Sequence, residues 1–216
     1  MSIMASDDNI IYSCKPFTLT SFERLRQTVN TIDYIVKNNI EGDIIEVGVW
    51  RGGTVMAMLL KLKQLGVTDR HVHLYDTFEG MTEASEEDVN PHGDVAGPLM
   101  EAVPFFKCIA SIEEVMANIS RVDYPREFVH FHKGDIRKTD LTAIPEKIAC
   151  LRLDIDWYEL YKFCLPVFEP RVQPTAPITI DDYGYWSGCK KAVDDYLKDS
   201  KELIKIAEGE GVYWYK

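Results

Sequence analysis

Asp43-Ile44-Ile45-Glu46-Val47-Gly48-Val49-Trp50-Arg51-Gly52-Gly53 is the stretch that decides the fold. Residues 43–48 read as a short buried strand that ends in a turn. Residues 54–65 read as a helix, and Gly66 stands where a left-handed C-terminal cap belongs. A strand delivering glycines to the start of a helix is the opening unit of a sheet with crossover helices.

Upstream, Phe22, Leu25, Val29, Ile32, Ile35 and Val36 recur in steps of three and four, so residues 20–39 form an amphipathic helix that Glu41-Gly42 breaks. The first dozen residues read as an arm or loop. Downstream, strands are expected at 71–75, 127–131, 148–153, 177–180, 203–207 and 212–215. Helices are expected at 111–119, 158–168 and 187–197. Ser111-Ile112-Glu113-Glu114 is a capping box, and Pro170 stops the helix before it. The alternation predicts an α/β, doubly wound, seven-stranded sheet, with the last two strands joined by a short turn and antiparallel at one edge. The organisation is an N-terminal arm (1–19) and a single domain (20–216). Within it, about 80–110 is a long polar connection that serves as a lid or substrate loop.

In such sheets ligands bind beyond the carboxyl ends of the strands. Three segments place suitable residues there: Glu46 to Gly53 after the first strand, Asp76 after the second, and Gly134-Asp135-Ile136 after the third. Val49, Trp50 and Arg51 fill the space before Gly52, which makes the first segment a poor pyrophosphate cradle; a cofactor without phosphate tolerates that. Asp76 suits ribose hydroxyls, and Gly134 to Ile136 suits an adenine ring. Each piece alone also reads as ordinary turn chemistry.

Asp154 and Asp156 close one strand, and Asp181 and Asp182 close the next. Side by side, these four carboxylates reach one rim, where like charges are unfavourable unless something neutralises them. An oxygen-only set favours a hard cation, Mg²⁺ or Ca²⁺. A sugar diol could bind such an ion, and a rim carboxylate could take a proton. The alternative is capping and solvent exposure. His71, His73, His130 and His132 alternate in strands and do not look like a ligand set. His92 reads as an exposed loop residue. Trp50, Trp157, Trp186 and Tyr183 fall near the rim, as stacking platforms or core fillers.

The chain has 216 residues, 46% hydrophobic and 27% charged, an ordinary globular composition. A formal net charge of −11 disfavours a nucleic-acid partner. Five cysteines without a C-x-x-C pair fit a reducing cytosol better than a disulfide framework. The polar stretch 1–13 does not look like a secretory signal, and no apolar run reaches the roughly 18 residues of a membrane span.

In Gly42 to Gly53, Asp76-Thr77-Phe78-Glu79-Gly80, Leu151 to Glu159, Ile180-Asp181-Asp182-Tyr183 and Gly211 to Trp214, the chain resembles the macrocin O-methyltransferase family. The resemblance runs from about Glu23 to Lys216. It implies a Rossmann-like class I methyltransferase fold, S-adenosylmethionine, Mg²⁺, a sugar hydroxyl as acceptor and a homodimer. It implies cofactor contacts from Glu46, Gly48, Trp50, Arg51, Gly52, Asp76, Thr77, Phe78, Gly134, Asp135, Ile136 and Asp154. Asp154, Asp181 and Asp182 would hold the metal, and Asp154 would act as base. A nicotinamide-dependent oxidoreductase and a non-catalytic binding protein on the same fold are the alternatives.

Overall fold

The computed structural model describes residues 6–198, 203–206 and 209–216. Seven strands form one sheet: β1 (Asp43–Val47), β2 (Val72–Asp76), β3 (Val129–Lys133), β4 (Ile148–Leu153), β5 (Pro177–Ile180), β6 (Ile204–Lys205) and β7 (Val212–Tyr215). Their order is β3-β2-β1-β4-β5-β7-β6. β1 pairs in parallel with β2, Glu46 opposite Leu74, and with β4, Glu46 opposite Arg152. β7 alone runs against its neighbours β5 and β6. The doubly wound reading holds, with the antiparallel strand inserted between β5 and β6. The chain leaves β1 toward β2 and β3, then returns to build β4 and β5 on the other side, so the switch point lies between β1 and β4.

β4 is buried along its whole length, as both-face coverage by helices requires. The helices are α1 (Asp7–Cys14), α2 (Phe22–Lys37), α3 (Gly53–Gln64), α4 (Ala96–Ala102), α5 (Ile112–Ser120), α6 (Tyr158–Phe168) and α7 (Ser187–Leu197). Ser21 caps α2 by accepting the Arg24 N–H at 3.2 Å, and Leu25, Val29, Ile32 and Ile35 are fully buried. Ser111 accepts the Glu114 N–H at 3.2 Å, which realises the first half of the expected capping box. Gly66 takes φ +76° just past α3, as expected of a cap.

Three local readings change. Residues 7–14, expected as arm or loop, are a helix: Ser6 caps it, and Ile10, Ile11 and Cys14 are buried where α1 packs on α2 and α3. Its three buried apolar positions are too few to stand out as a period in sequence. β3 begins two residues later than expected, because Arg126–Phe128 forms a 3₁₀ turn first. The long connection contains α4 and a bridge between Val89 and Val95. Residue 207, expected to end a strand, lies outside the described residues. No described helix is long and apolar enough to cross a membrane.

Candidate active site

The carboxyl ends of β1, β2, β4 and β5 open on one rim. Gly48 is needed there: it has φ +83°, and a Cβ would lie 1.8 Å from the Asp154 carbonyl oxygen. The tips of β1 and β4 therefore touch through backbone.

Of the residues expected around a cofactor, Gly48, Asp76, Thr77, Gly134, Ile136 and Asp154 line one cleft. Trp50 joins Gly48, Asp76 and Asp154 on an adjoining cavity of about 180 Å³ that continues to Asp156, Asp181 and Asp182. The other five stand behind these walls. Glu46 is fully buried and accepts the Thr54 hydroxyl at 2.6 Å. Arg51 turns outward to Glu114 at 2.5 Å. Gly52 starts α3 against Val115 and Ile119 of α5. Phe78 is buried beside Phe131. Asp135 is taken by Arg137, at 2.9 and 2.7 Å on its two oxygens. Asp76 itself shapes the turns: Oδ2 accepts the Val49 and Trp50 N–H groups at 2.7 and 3.1 Å, and Oδ1 accepts Phe78 N–H at 2.8 Å.

One side chain organises the acids. Arg152, the penultimate residue of β4 and 2% exposed, donates to Glu46 Oε1 at 2.5 Å, Asp154 Oδ2 at 2.8 Å and Asp181 Oδ1 at 2.5 Å. Arg24 of α2 covers the other Asp181 oxygen at 2.5 Å and reaches Glu210 at 3.0 Å. Asp181, expected as a metal ligand, thus has a guanidinium on each oxygen. Asp156 takes the place beside Asp154 and Asp182 instead: ligand oxygens of these three lie within 4.8 Å of one another. Asp156 reaches inward because its backbone is left-handed, φ +57°, with its N–H donating to Asp182 Oδ2 at 2.9 Å. The Trp186 indole donates to Asp156 at 2.8 Å, and the Tyr161 hydroxyl donates to Asp182 at 2.7 Å.

In the metal-free protein, burial, followed by the charge of neighbouring acids, pushes the carboxyls of Asp154, Asp156 and Asp182 above the usual carboxylate range. Among the described residues no lysine or arginine pairs with Asp156 or Asp182. Three crowded acids with one shared guanidinium fit a hard divalent cation in both charge and donor chemistry. Glu46 is raised to about 7 by burial, and its Oε2 has no hydrogen-bond partner.

A further cavity of about 230 Å³ also borders the cluster. Asp156 and Asp182 form its floor, with Leu19, Met81, Met100, Phe106, Trp157 and Trp186 around them. The acids therefore border both a glycine-lined cleft and an apolar, aromatic cavity.

Sequence reasoning missed Arg24 and Arg152. An arginine inside the apolar run Ile148–Leu153 was a readable signal, since a buried guanidinium demands acid partners. Arg24 gave none; its partner lies 157 residues away.

The sheet order β3-β2-β1-β4-β5-β7-β6, its antiparallel β7 and the glycine-lined switch point are those of a class I methyltransferase. The chain belongs to the macrocin-O-methyltransferase (TylF) family, whose model matches residues 12–216. It is 33% identical over 202 residues to demethyldecarbamoylnovobiocin O-methyltransferase of Streptomyces niveus, covering 92% of this chain and 75% of that protein. It is 30% identical over 207 residues to mycinamicin III 3''-O-methyltransferase of Micromonospora griseorubida, covering 94% and 80%. The solved structure of the O-methyltransferase NovP superposes with a TM-score of 0.80 at 33% identity, over 93% of this chain and 82% of that one. The chain is accordingly an O-methyltransferase, and the nicotinamide-dependent and non-catalytic alternatives fall away.

Proposed function

We propose that this enzyme transfers a methyl group from S-adenosylmethionine to a hydroxyl of a sugar carried on a glycoside, assisted by Mg²⁺. The observation that carries the reading is the placement of Asp154, Asp156 and Asp182 beside the cleft and the aromatic cavity. The name of a further relative, an O-methyltransferase of a rhamnosyl-tetracenomycin from Streptomyces olivaceus, supports the acceptor class.

S-adenosylmethionine supplies an electrophilic methyl group and leaves as a thioether. Asp154 and Asp182 would hold the metal, with Asp156 as the third oxygen ligand and Asp181 as the anchor for Arg24 and Arg152. Bound there, Mg²⁺ would orient neighbouring hydroxyls and lower the pKa of one. Asp154 would accept the hydroxyl proton at its carboxylate as the oxygen–methyl bond forms. Arg152 keeps Asp154 in place from behind. Trp157, Trp186 and Phe106 would shield the reacting groups from water and present flat faces to a sugar ring.

The working form is proposed as a cytosolic homodimer. The exposed aromatic pair Tyr12 and Phe22, with Leu19 beside the mouth, offers apolar surface for a second copy. Buried thiols at Cys14, Cys150, Cys164 and Cys189 suit a reducing compartment.

The test is methyl transfer from labelled S-adenosylmethionine to a panel of O-demethylated deoxysugar glycosides and nucleotide sugars, with Mg²⁺ or EDTA. Product on a sugar hydroxyl, lost in EDTA and restored by Mg²⁺, is expected. Full activity in EDTA would remove the metal from the reading, and methylation of nucleotide sugars alone would remove the glycoside.

A further inference from the structure

The long connection between β2 and α5 is fastened by one carboxylate. Asp88 is fully buried. Its Oδ1 accepts the N–H of Tyr158, the first residue of α6, at 2.7 Å. Its Oδ2 accepts the Ser85 N–H at 2.7 Å and the Ser85 hydroxyl at 2.8 Å. Its carbonyl oxygen accepts the N–H of Ala96, the first residue of α4, at 2.9 Å. Trp157, which precedes α6, makes no side-chain cap of its own. Asp88 therefore caps α6 from 70 residues away, where a negative charge meets the positive end of the helix.

The same segment grips α7. The Val89 N–H donates to the Ser187 hydroxyl oxygen at 3.0 Å, and the Ser187 N–H donates to Val89 O at 3.0 Å. Gly188 follows, and a Cβ there would stand 2.0 Å from Asp88 Oδ1. The Trp157 indole donates to Thr82 O at 3.0 Å. Each helix start follows directly on an acid-bearing loop: 154–157 before α6 and 181–186 before α7. The wall residues Met81, Leu99 and Met100 flank this fastening on both sides in sequence and line the aromatic cavity.

We propose that Asp88 is a positioning residue for methyl transfer. By capping α6 from the connecting segment, it holds the acceptor-facing wall against the Asp154–Asp156–Asp182 cluster. This rests on reading that cluster as the reaction centre. Asp88 lines neither the cleft nor the cavities beside the cluster; it acts through Tyr158, Ser85 and the contact with Gly188.

The test compares Asp88→Ala, Asp88→Asn and Gly188→Ala with the wild type, using amide hydrogen exchange, S-adenosylhomocysteine titration and steady-state kinetics on a glycoside that the wild type accepts. Asp88→Ala should speed exchange in residues 82–103 by about tenfold or more while β1 and β4 stay protected. S-adenosylhomocysteine affinity should stay within about threefold, and acceptor KM should rise more than kcat falls. Asp88→Asn should lie between, because its carbonyl oxygen can still accept from Tyr158 while its amide cannot accept from Ser85. Gly188→Ala should loosen the same segment even though alanine is the better helix former. Unchanged exchange in 82–103 would overturn the proposal. So would equal loss of protection in β1 and β4 with loss of S-adenosylhomocysteine binding, which would make Asp88 a residue of the whole fold. If no glycoside is turned over, the acceptor reading fails separately, and the exchange pattern still decides for Asp88.

Discussion

Asp181 and Asp182 are neighbours in the chain and opposites in surroundings. Asp181 meets a guanidinium on each oxygen, whereas Asp182 receives the Tyr161 hydroxyl and the Asp156 N–H and faces two further acids. One is held between two cations of the chain itself, and the other has only neutral donors and neighbouring acids.

That contrast predicts opposite responses to the same chemical change. In metal-free protein, Asp182→Asn should raise the melting temperature, because it removes one of three crowded charges and keeps an acceptor for Tyr161. Asp181→Asn should lower stability by about 3–5 kcal/mol, because it weakens two buried guanidinium contacts. Adding Mg²⁺ should stabilise the wild type and leave Asp182→Asn unmoved. Thermal unfolding with and without Mg²⁺ decides, and a Mg²⁺ response retained in Asp182→Asn would exclude it as a ligand.

Arg152→Met should be more damaging than the usual core substitution. It strands Glu46, Asp154 and Asp181 in the sheet without their shared cation, an effect of about 3–5 kcal/mol. Urea unfolding measures it. A loss below about 1 kcal/mol would mean that the acids are neutralised by protonation instead.

Gly48→Ala tests the contact between the strand tips. The left-handed backbone alone disfavours alanine by about 1–3 kcal/mol, and the 1.8 Å approach to Asp154 O adds to that. Reduced stability together with weakened S-adenosylhomocysteine binding in calorimetry is expected; normal binding would place the cofactor elsewhere.

A stack of imidazoles makes the β2–β3 edge sensitive to acid. His71 Nδ1 lies 2.7 Å from His130 Nε2, and His73 Nδ1 lies 3.0 Å from His132 Nε2. Each such pair needs one donor and one acceptor, so a second proton breaks it. Burial and then the charge of His73 lower His132 to about 4, and burial also lowers His130. A histidine lowered on folding favours the native state above its unfolded pKa. That stability is lost as pH falls from about 6.5 toward 4. His132 is only half-buried, so the discounted effect is about 1–2 kcal/mol. The raised rim acids act with the opposite sign over the same range. The reporter is therefore the difference between wild type and His132→Phe in urea unfolding at pH 7 and pH 5, expected to shrink at pH 5. A constant difference would refute the effect.

Much of this was legible in the residues. Tyr158–Phe168 and Ser187–Leu197 have the limits that their sequence signals suggest, because a proline-bearing stop and regular apolar spacing are local. The rim acids were legible as a group, since each follows a strand. Their division of labour was not. It depends on Arg24 arriving from α2 and on the left-handed turn at Asp156, neither of which spacing encodes. α1 escaped notice because two isoleucines and a cysteine carry its whole buried face.

Arg152 also bears on how the chain comes together during synthesis. Its partners come from β1, from the end of β4 itself and from the end of β5, so the chain ahead of β5 holds the guanidinium with two of its three acids. Glu46 and Asp154 already balance its charge, but the second guanidinium nitrogen gains its carboxylate only when β5 arrives. A fragment severed ahead of β5 should therefore be less stable than the full chain, because it buries that nitrogen without Asp181.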